Sequence, residues 1–386
     1  MHMHTATVVA PAQAGAQRLS DNMANVVIPS TSHESPATAS VVIPAKAGIQ
    51  RLSRIRNNNM KKALCLAIAT FALSACSPEN EPPAATSAAA PAATTTNSAR
   101  TQVQTNCNAA CMGSIAQQYM TDVATQDWSK LPWANPVRYT ENNVAMMIGD
   151  GFWGAGPSTD SNALILADES TGNVIWYGRT GEHGQLAYHG LRLKIADGKI
   201  SEVESYLGRE GTPDLFAPLS SYTLHADFNS NVPNPASRNA LVSVVDSYFD
   251  TKTLNDGTIK TSLADNCTQL VNGANITQGE HPKAQAAQGC NAQLEIGLYK
   301  PVERIRARRY PVVDVAKGVV VALSLEDHAT RELKYTTTDG KEHDVDVRYP
   351  NTRGRMDLFK IVDGAITRID GVSVFLPYYI HSLWDE

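Results

Sequence analysis

The sequence carries no GxSxG nucleophile elbow, no HExxH pair, no Walker phosphate loop and no GxGxxG fingerprint, which disfavours serine hydrolase, zinc protease and nucleotide chemistry. No basic run exceeds two residues, as at Arg308-Arg309, and the formal net charge is -5. Nucleic acid is bound by clustered cations, so that class of partner is disfavoured too. Cysteine is sparse, at six residues. Cys107 and Cys111 have neither a second close pair nor neighbouring histidines, so no metal site is expected there. The sharpest apolar stretch, Ala63 to Ala75, has 13 residues, short of the ~20 that a membrane-spanning helix needs.

What the sequence does have is one hairpin, twice. Leu193 to Glu204 returns 166 positions later as Phe359 to Asp370. Each copy reads as two strands joined by Asp-Gly, the pair that tolerates positive φ at both centres of a type I′ turn. Ile195 then faces Ile200, and Ile361 faces Ile366. Val203 and Ile369 break the alternation, which implies a bulge or burial on both faces. A unit of this length, repeated, reads as the closing hairpin of two similar domains.

Residues 1–59 show no helical or strand period and contain their own echo, Val8 to Ser20 against Val41 to Ser53. The segment resembles a translated proteobacterial intergenic repeat, so we expect a mis-assigned or disordered extension, with initiation at Met60. From there Lys61 and Lys62 precede the short apolar stretch, the pattern of an export signal over 60–75. Leu73-Ser74-Ala75-Cys76 resembles the bacterial lipobox. That resemblance implies lipidation of Cys76 and a multi-chain anchor, which is firm because each buried CH₂ contributes ~0.8 kcal/mol. Ser77 after the cysteine resembles the default route to the outer membrane, so the expected location is the cell envelope, facing the periplasm. Loss of residues 1–75 removes seven of the 33 basic and two of the 38 acidic residues, leaving a net charge of -10. Cys107, Cys111, Cys267 and Cys290 remain, an even number for an oxidising compartment. Of their three pairings, the within-half one keeps each bridge inside one repeat.

The stretch 76–104, rich in Ala, Pro, Thr and Ser, cannot bury enough surface to fold. As a tether it spans about 30 Å. A first domain over 105–212 opens with a helix whose Met112, Ile115, Ala116, Tyr119, Met120 and Val123 form one stripe. The stripe recurs 129 positions later as Leu241, Val244, Val245, Tyr248 and Phe249, in a second domain over 235–386. Pro- and Ser-rich 213–234 separates the two. Ala134 to Asn143 aligns with Ala264 to Gly273, each a strand running into an Asn-containing turn. In the second domain Arg304 to Asp314 and Gly318 to His328 read as a strand pair. Pairing Asp314 with Val319 puts Arg309 on one side with Ser324, Glu326 and His328, and Arg306 and Arg308 on the other, an assignment that one residue of slip would reverse.

A long helix followed by a bent antiparallel sheet that ends in an Asp-Gly hairpin resembles the NTF2-like cone. The expected fold is therefore α+β, with two tandem NTF2-like cones, each a long helix packed on a strongly bent antiparallel sheet. More narrowly, Cys107-x-x-x-Cys111, Arg138 to Asn142, Gly149 to Trp153, Arg308 to Asp314 and Asp327-His328 resemble a secreted bacterial and fungal domain-of-unknown-function family related to SnoaL-like proteins. That family supplies no established catalytic residues. Cones of this kind imply a mostly apolar pocket for a small molecule, and the leading expectation is an envelope lipoprotein that binds a small apolar or aromatic ligand. The alternatives are a cofactor-free lyase or isomerase, and a protein-interaction scaffold. For proton transfer the candidates are His328 as base or acid, Glu326 to orient it and Arg309 to hold an anion. For the first cone the pocket candidates are Asp150, Trp153, Tyr177 and His189. The competing reading of the Arg-Glu-His face is an ion-paired sheet surface. No cofactor is expected.

Overall fold

The computed structural model describes residues 107–160, 162–209 and 226–385. Segments 1–59, 60–75 and 76–104, with the expected lipidation site at Cys76, lie outside the described residues, as does 210–225 with the start of the expected interdomain segment. Each half opens with a 17-residue helix, α1 (Ala109–Thr125) and α2 (Arg238–Leu254). Both begin with a side-chain cap. Asn108 accepts from the Cys111 amide at 3.0 Å and Ser237 from the Ala240 amide at 3.3 Å, contacts that typically contribute ~1 kcal/mol each. Both helices stop at a left-handed residue, Gln126 and Asn255. The predicted stripes are the buried faces, from Met112 to Val123 and from Leu241 to Phe249.

Strands follow. The first half contains β1 (Trp133–Glu141), β2 (Val144–Ala145), β3 (Ser158–Thr159), β4 (Leu164–Asp168), β5 (Asn173–Glu182), β6 (Gln185–Ala196) and β7 (Lys199–Arg209). The second has β8 (Leu263–Val271), β9 (Ala274–Asn275), short helices α3 (Pro282–Ala286) and α4 (Cys290–Glu295), then β10 (Arg304–Asp314) and β11 (Val319–His328). A small separate sheet of β12 (Lys334–Thr336) and β13 (Glu342–Asp344) precedes β14 (Asn351–Val362) and β15 (Ala365–Pro377). The strand order is β2-β1-β7-β6-β5 in one sheet, with β3 and β4 on β5, and β9-β8-β15-β14-β11-β10 in the other. Only β1–β7 and β8–β15 are parallel. The structure is thus mixed α+β with two sheets of corresponding order.

Local chemistry explains the correspondence. Asp197-Gly198 and Asp363-Gly364 all have positive φ, at 51°, 72°, 49° and 80°. Ile195 pairs with Ile200 and Ile361 with Ile366, and each ladder shifts register one step earlier, at Lys194 and Lys360. The extra residue, Ser201 or Thr367, turns its hydroxyl onto the carbonyl of Lys194 or Lys360. This bulge accounts for the broken alternation at Val203 and Ile369. The Asn-containing turns also do one job twice. Asn142 accepts from the Leu207 amide at 2.8 Å and Asn272 from the Ser373 amide at 3.0 Å, clamping the parallel strand pair in each half.

Each sheet is buried on both faces. One face of the first sheet packs on α1 through Val174, Trp176, Leu191, Leu193 and Val203, and one face of the second packs on α2 through Val320, Ala322, Phe359 and Ile369. Their other faces meet in a shared core of Leu166, Ile175, Tyr177, Tyr188 and Tyr206 against Val321, Leu323, Met356, Leu358 and Val372. The order of layers is helix, sheet, sheet, helix. Gly354 permits the sheets to approach, since a Cβ there would lie 2.7 Å from the Tyr206 ring. Phe228 is fully buried in the same core. Disulfides join Cys107 to Cys111 and Cys267 to Cys290, each within one half.

Candidate functional site

β11 carries the predicted pair as expected from its alternation. Leu323 and Leu325 face the other sheet, while Ser324, Glu326 and His328 face α2 and are buried. Arg309 does not join them. Asp314 pairs with Val319 as anticipated, but β10 shifts register twice, between Arg306 and Arg309 and between Arg309 and Val312. Ala307, at φ 52°, marks the first irregularity. The alternation therefore restarts, and Arg308 and Arg309 exchange faces. Arg308 reaches Asp246 and Asp250 of α2 at 3.0 and 2.7 Å, while Arg309 grips Glu204 of the first sheet at 3.0 and 2.6 Å.

The partner that Glu326 does have is Lys252, on the last turn of α2, at 2.5 Å. Both side chains are at most 4% exposed. His328 Nε2 lies 2.9 Å from the other Glu326 oxygen. An ionised carboxylate only accepts, so Nε2 carries the proton and donates. Burial opposes ionisation of Glu326, but the Lys252 ammonium, the His328 bond and the Arg355 charge together hold it well below the usual carboxylate range. Burial also draws Lys252 down to about 8, against the pull of Glu326. It takes His328 down to about 4, helped by Arg353. At neutral pH the array is ammonium, carboxylate and neutral imidazole. Around it, Arg355 holds Asp357 at 2.9 and 2.7 Å, and Tyr299 donates to Gln293 at 2.7 Å with Gln269 at 3.2 Å.

Lys252 was legible in principle. It falls three positions beyond Phe249 on the apolar stripe and 129 beyond Val123, a cation on a buried helix face. The site also involves Lys283, which lies in a stretch, Gln278 to Gln288, that reads as a polar loop. There His281 caps the Pro282-initiated α3 instead. The Lys283 ammonium stands 5.0 Å from the Tyr299 ring centroid and 3.8 Å from Asp346, and burial lowers its pKa.

Glu326, His328, Lys283, Tyr299, Tyr335 and Arg353 line a cavity of about 20 Å³, room for one water. Its cover is the excursion 329–350, which carries β12 and β13. Tyr335 of the cover donates to the Leu298 carbonyl at 3.1 Å and stacks on His343 at 5.5 Å. No group of three or more His, Cys, Asp or Glu side chains suited to a metal occurs among the described residues.

The four pocket candidates of the first half do not converge. Asp150 is exposed. Tyr177 lies in the core between the sheets. Trp153 is fully buried and donates to Tyr119 at 2.8 Å. His189 is fully buried, 2.7 Å from the Ser205 hydroxyl and packed edge-on against Phe152 and Trp176. The reason is filling. The two repeats and their strand registers place Trp176 where the second half has Ala322, Thr180 where it has Glu326, and Val123 where it has Lys252. Side chains occupy the space that a pocket would need.

Residues 234–373 match the family model of a domain of unknown function, DUF8021. No curated protein matches the chain. Among solved structures, AusH from Aspergillus nidulans is similar at 10% identity, covering 36% of this chain and 87% of its own, with a TM-score of 0.23. A protein assigned as a polyketide cyclase from Xanthomonas campestris pv. campestris has 18% identity, coverages of 36% and 92%, and a TM-score of 0.24. An NTF2-like protein of unknown function from Cytophaga hutchinsonii has 14% identity, coverages of 36% and 100%, and a TM-score of 0.22.

Proposed function

We propose that the chain is an envelope lipoprotein, anchored through Cys76 at the outer membrane and facing the periplasm, in which two NTF2-like cones stand in tandem and the second binds a small molecule. The export signal and lipobox-like segment support the location, and two within-half disulfides suit an oxidising compartment. The shared strand order and paired hairpins support the tandem. One observation carries the ligand reading: where the first half packs Val123, Trp176 and Thr180, the second has Lys252, Ala322 and Glu326, and Glu326, paired with Lys252, lines a cavity. Buried charge pairs are poor sources of stability, because desolvation offsets their attraction. A core that retains them at a cavity is arranged for recognition or chemistry.

Lining by Leu298, Tyr299 and Val302 beside Lys283 and His328 suits a ligand with an apolar body and one polar group. A wholly apolar or aromatic ligand would offer no hydrogen bond to the Lys283 ammonium, 3.8 Å from Asp346, or to the His328 ring. Entry requires the cover, 329–350, to give way. The test is native mass spectrometry of the full chain released in mild detergent. An extra mass lost on denaturation, and diminished in Lys283→Met, is the expected result; a clean apo mass in the wild type would sink tight capture.

A second reading, cofactor-free lyase or isomerase chemistry, is favoured by one specific feature. His328 is neutral, its Nε2 is engaged by Glu326, and its Nδ1 has no hydrogen-bond partner among the described residues. That nitrogen can take a substrate proton, with Glu326 positioning the ring and Lys252 keeping Glu326 ionised. Such transfer contributes roughly 10²- to 10⁴-fold. On this reading His328→Ala abolishes turnover while binding persists; loss of both together would favour a binding role.

A further inference from the structure

A larger cleft, of about 520 Å³, opens between the two halves and shares no lining residue with the cavity described above. Six cations line it: Arg138, Arg192, Lys194, Arg238, Arg308 and Arg309. Glu202 is the one carboxylate among the lining residues. The other carboxylates that brace these cations do not line the cleft. Glu204, 1% exposed, holds both Arg192 and Arg309, Asp168 holds Arg238 at 2.6 Å, and Asp246 and Asp250 hold Arg308. Guanidinium groups fixed from behind in this way lose little freedom when an anion meets their remaining donors.

Three further observations point to a ligand. Arg192 Nη2 and Arg309 Nε are buried donors without a hydrogen-bond partner among the described residues. Trp384, beyond β15, lies 4.4 Å from the Arg138 guanidinium, 4.6 Å from that of Arg192 and 5.8 Å from that of Arg309. Its own Nε1 is fixed on Thr140 at 3.1 Å, and the chain before it is pinned by Asn143. The ring therefore holds the three cations together where they would otherwise repel. Finally, Lys194 rests on the Thr171 carbonyl and makes no ion pair among the described residues, while its cross-strand neighbour Glu202 is taken up by Arg192.

We propose that this cleft is an anion site, taking a small ligand that bears two or more carboxylate or phosphate groups. Two anionic groups match its spread, since the cations come from both sheets and from the first turn of α2. The flat Trp384 ring gives the ligand a face to pack on.

The experiment is isothermal titration of the full chain with citrate and, separately, inorganic pyrophosphate, at constant ionic strength. We expect a Kd of about 1 mM or tighter for at least one of them. Binding of citrate alone assigns carboxylates, and binding of pyrophosphate alone assigns phosphates. Lys194→Glu should weaken binding by about tenfold or more, because it reverses a charge at the cleft, whereas His328→Ala should leave it unchanged. If Lys194→Glu does not fold, Lys194→Gln should still weaken binding by about threefold. Absence of heat with both anions, or an affinity unmoved by the Lys194 variants, overturns the proposal.

Discussion

The two halves share what builds the backbone and differ in what fills it. Asp-Gly turns, register-shifting bulges with a hydroxyl residue, and Asn clamps from Asn142 and Asn272 recur at corresponding places. The differences concentrate inside. Toward α1 the first sheet presents Trp176, Thr180 and His189, packed with Phe152 and Trp153; toward α2 the second presents Ala322, Glu326, His328, Arg355 and Asp357. A second difference lies at one connection, where the two-residue link His183-Gly184 between β5 and β6 corresponds to 329–350 between β11 and β14. The polar interior and the cover occur in the same half and touch. One architecture thus has an apolar, filled interior in one copy and a polar, covered interior with a cavity of about 20 Å³ in the other.

Acid should have the largest effect, and it tests both halves at once. Burial lowers His189 to about 3 and His328 to about 4, from 6.5. Both folded pKa values are depressed, so the stabilisation is complete above 6.5 and is lost as pH falls, when the unfolded chain takes up protons that the folded chain refuses. Each histidine should contribute a loss of about 1.4 kcal/mol per pH unit. Urea unfolding from pH 7 to 4 should show the combined slope, and His189→Phe should remove the share of His189 while leaving that of His328, which ends near 4. An unchanged slope in that variant would mean that His189 is not held neutral.

Glu326→Ala comes next. It strands a buried ammonium and should cost about 3–5 kcal/mol. The corresponding change in the first half, Thr180→Val, should be neutral to within about 1 kcal/mol, since Thr180 Oγ1 has no partner among the described residues. Similar costs in both halves would erase the contrast. Converting the second interior toward the first, with Lys252→Met and Glu326→Leu together, should leave stability within about 1 kcal/mol of wild type or raise it. Ligand retention should be lost even so, which separates the role of the pair in binding from any role in folding.

How far these contrasts were legible depends on the range of the interaction. Turns, bulges and helix stripes are set by neighbours a few residues apart, and the hairpins at Asp197-Gly198 and Asp363-Gly364 follow from residue chemistry alone. The pairing of Glu326 with His328 is also local, since alternate residues of one strand share a face. Arg309 falls on the other face because strand alternation survives only until a bulge; Pro311 fits the second irregularity, but nothing near Ala307 announces the first. Trp153 and Tyr177 read as pocket residues because sequence shows which residues are large, and not whether their bulk lines a space or occupies it. Lys283 depended on a cover whose path over the cavity no short-range rule describes.

The last expected effect isolates that cover. Replacing 329–350 with a two-residue His-Gly link would give the second half the connection of the first, and the ladder permits it because His328 already pairs with Asn351. β12 and β13 pair only with each other, so the main sheet loses no strand, and a shorter loop recovers some closure entropy; the net change should be no more than about 2 kcal/mol. The imidazole should respond more sharply. Burial is the foremost cause of the lowered His328 pKa, so opening the cavity to water should move it upward from about 4 toward 6.5, as followed by the pH dependence of its ring proton resonances. His189, behind the packed wall of the first half, should stay near 3. If His328 does not move, its desolvation comes from the sheet and α2, and the excursion is a bystander to the site. If it moves alone, the 329–350 excursion is what makes the second interior differ electrostatically from an open sheet face.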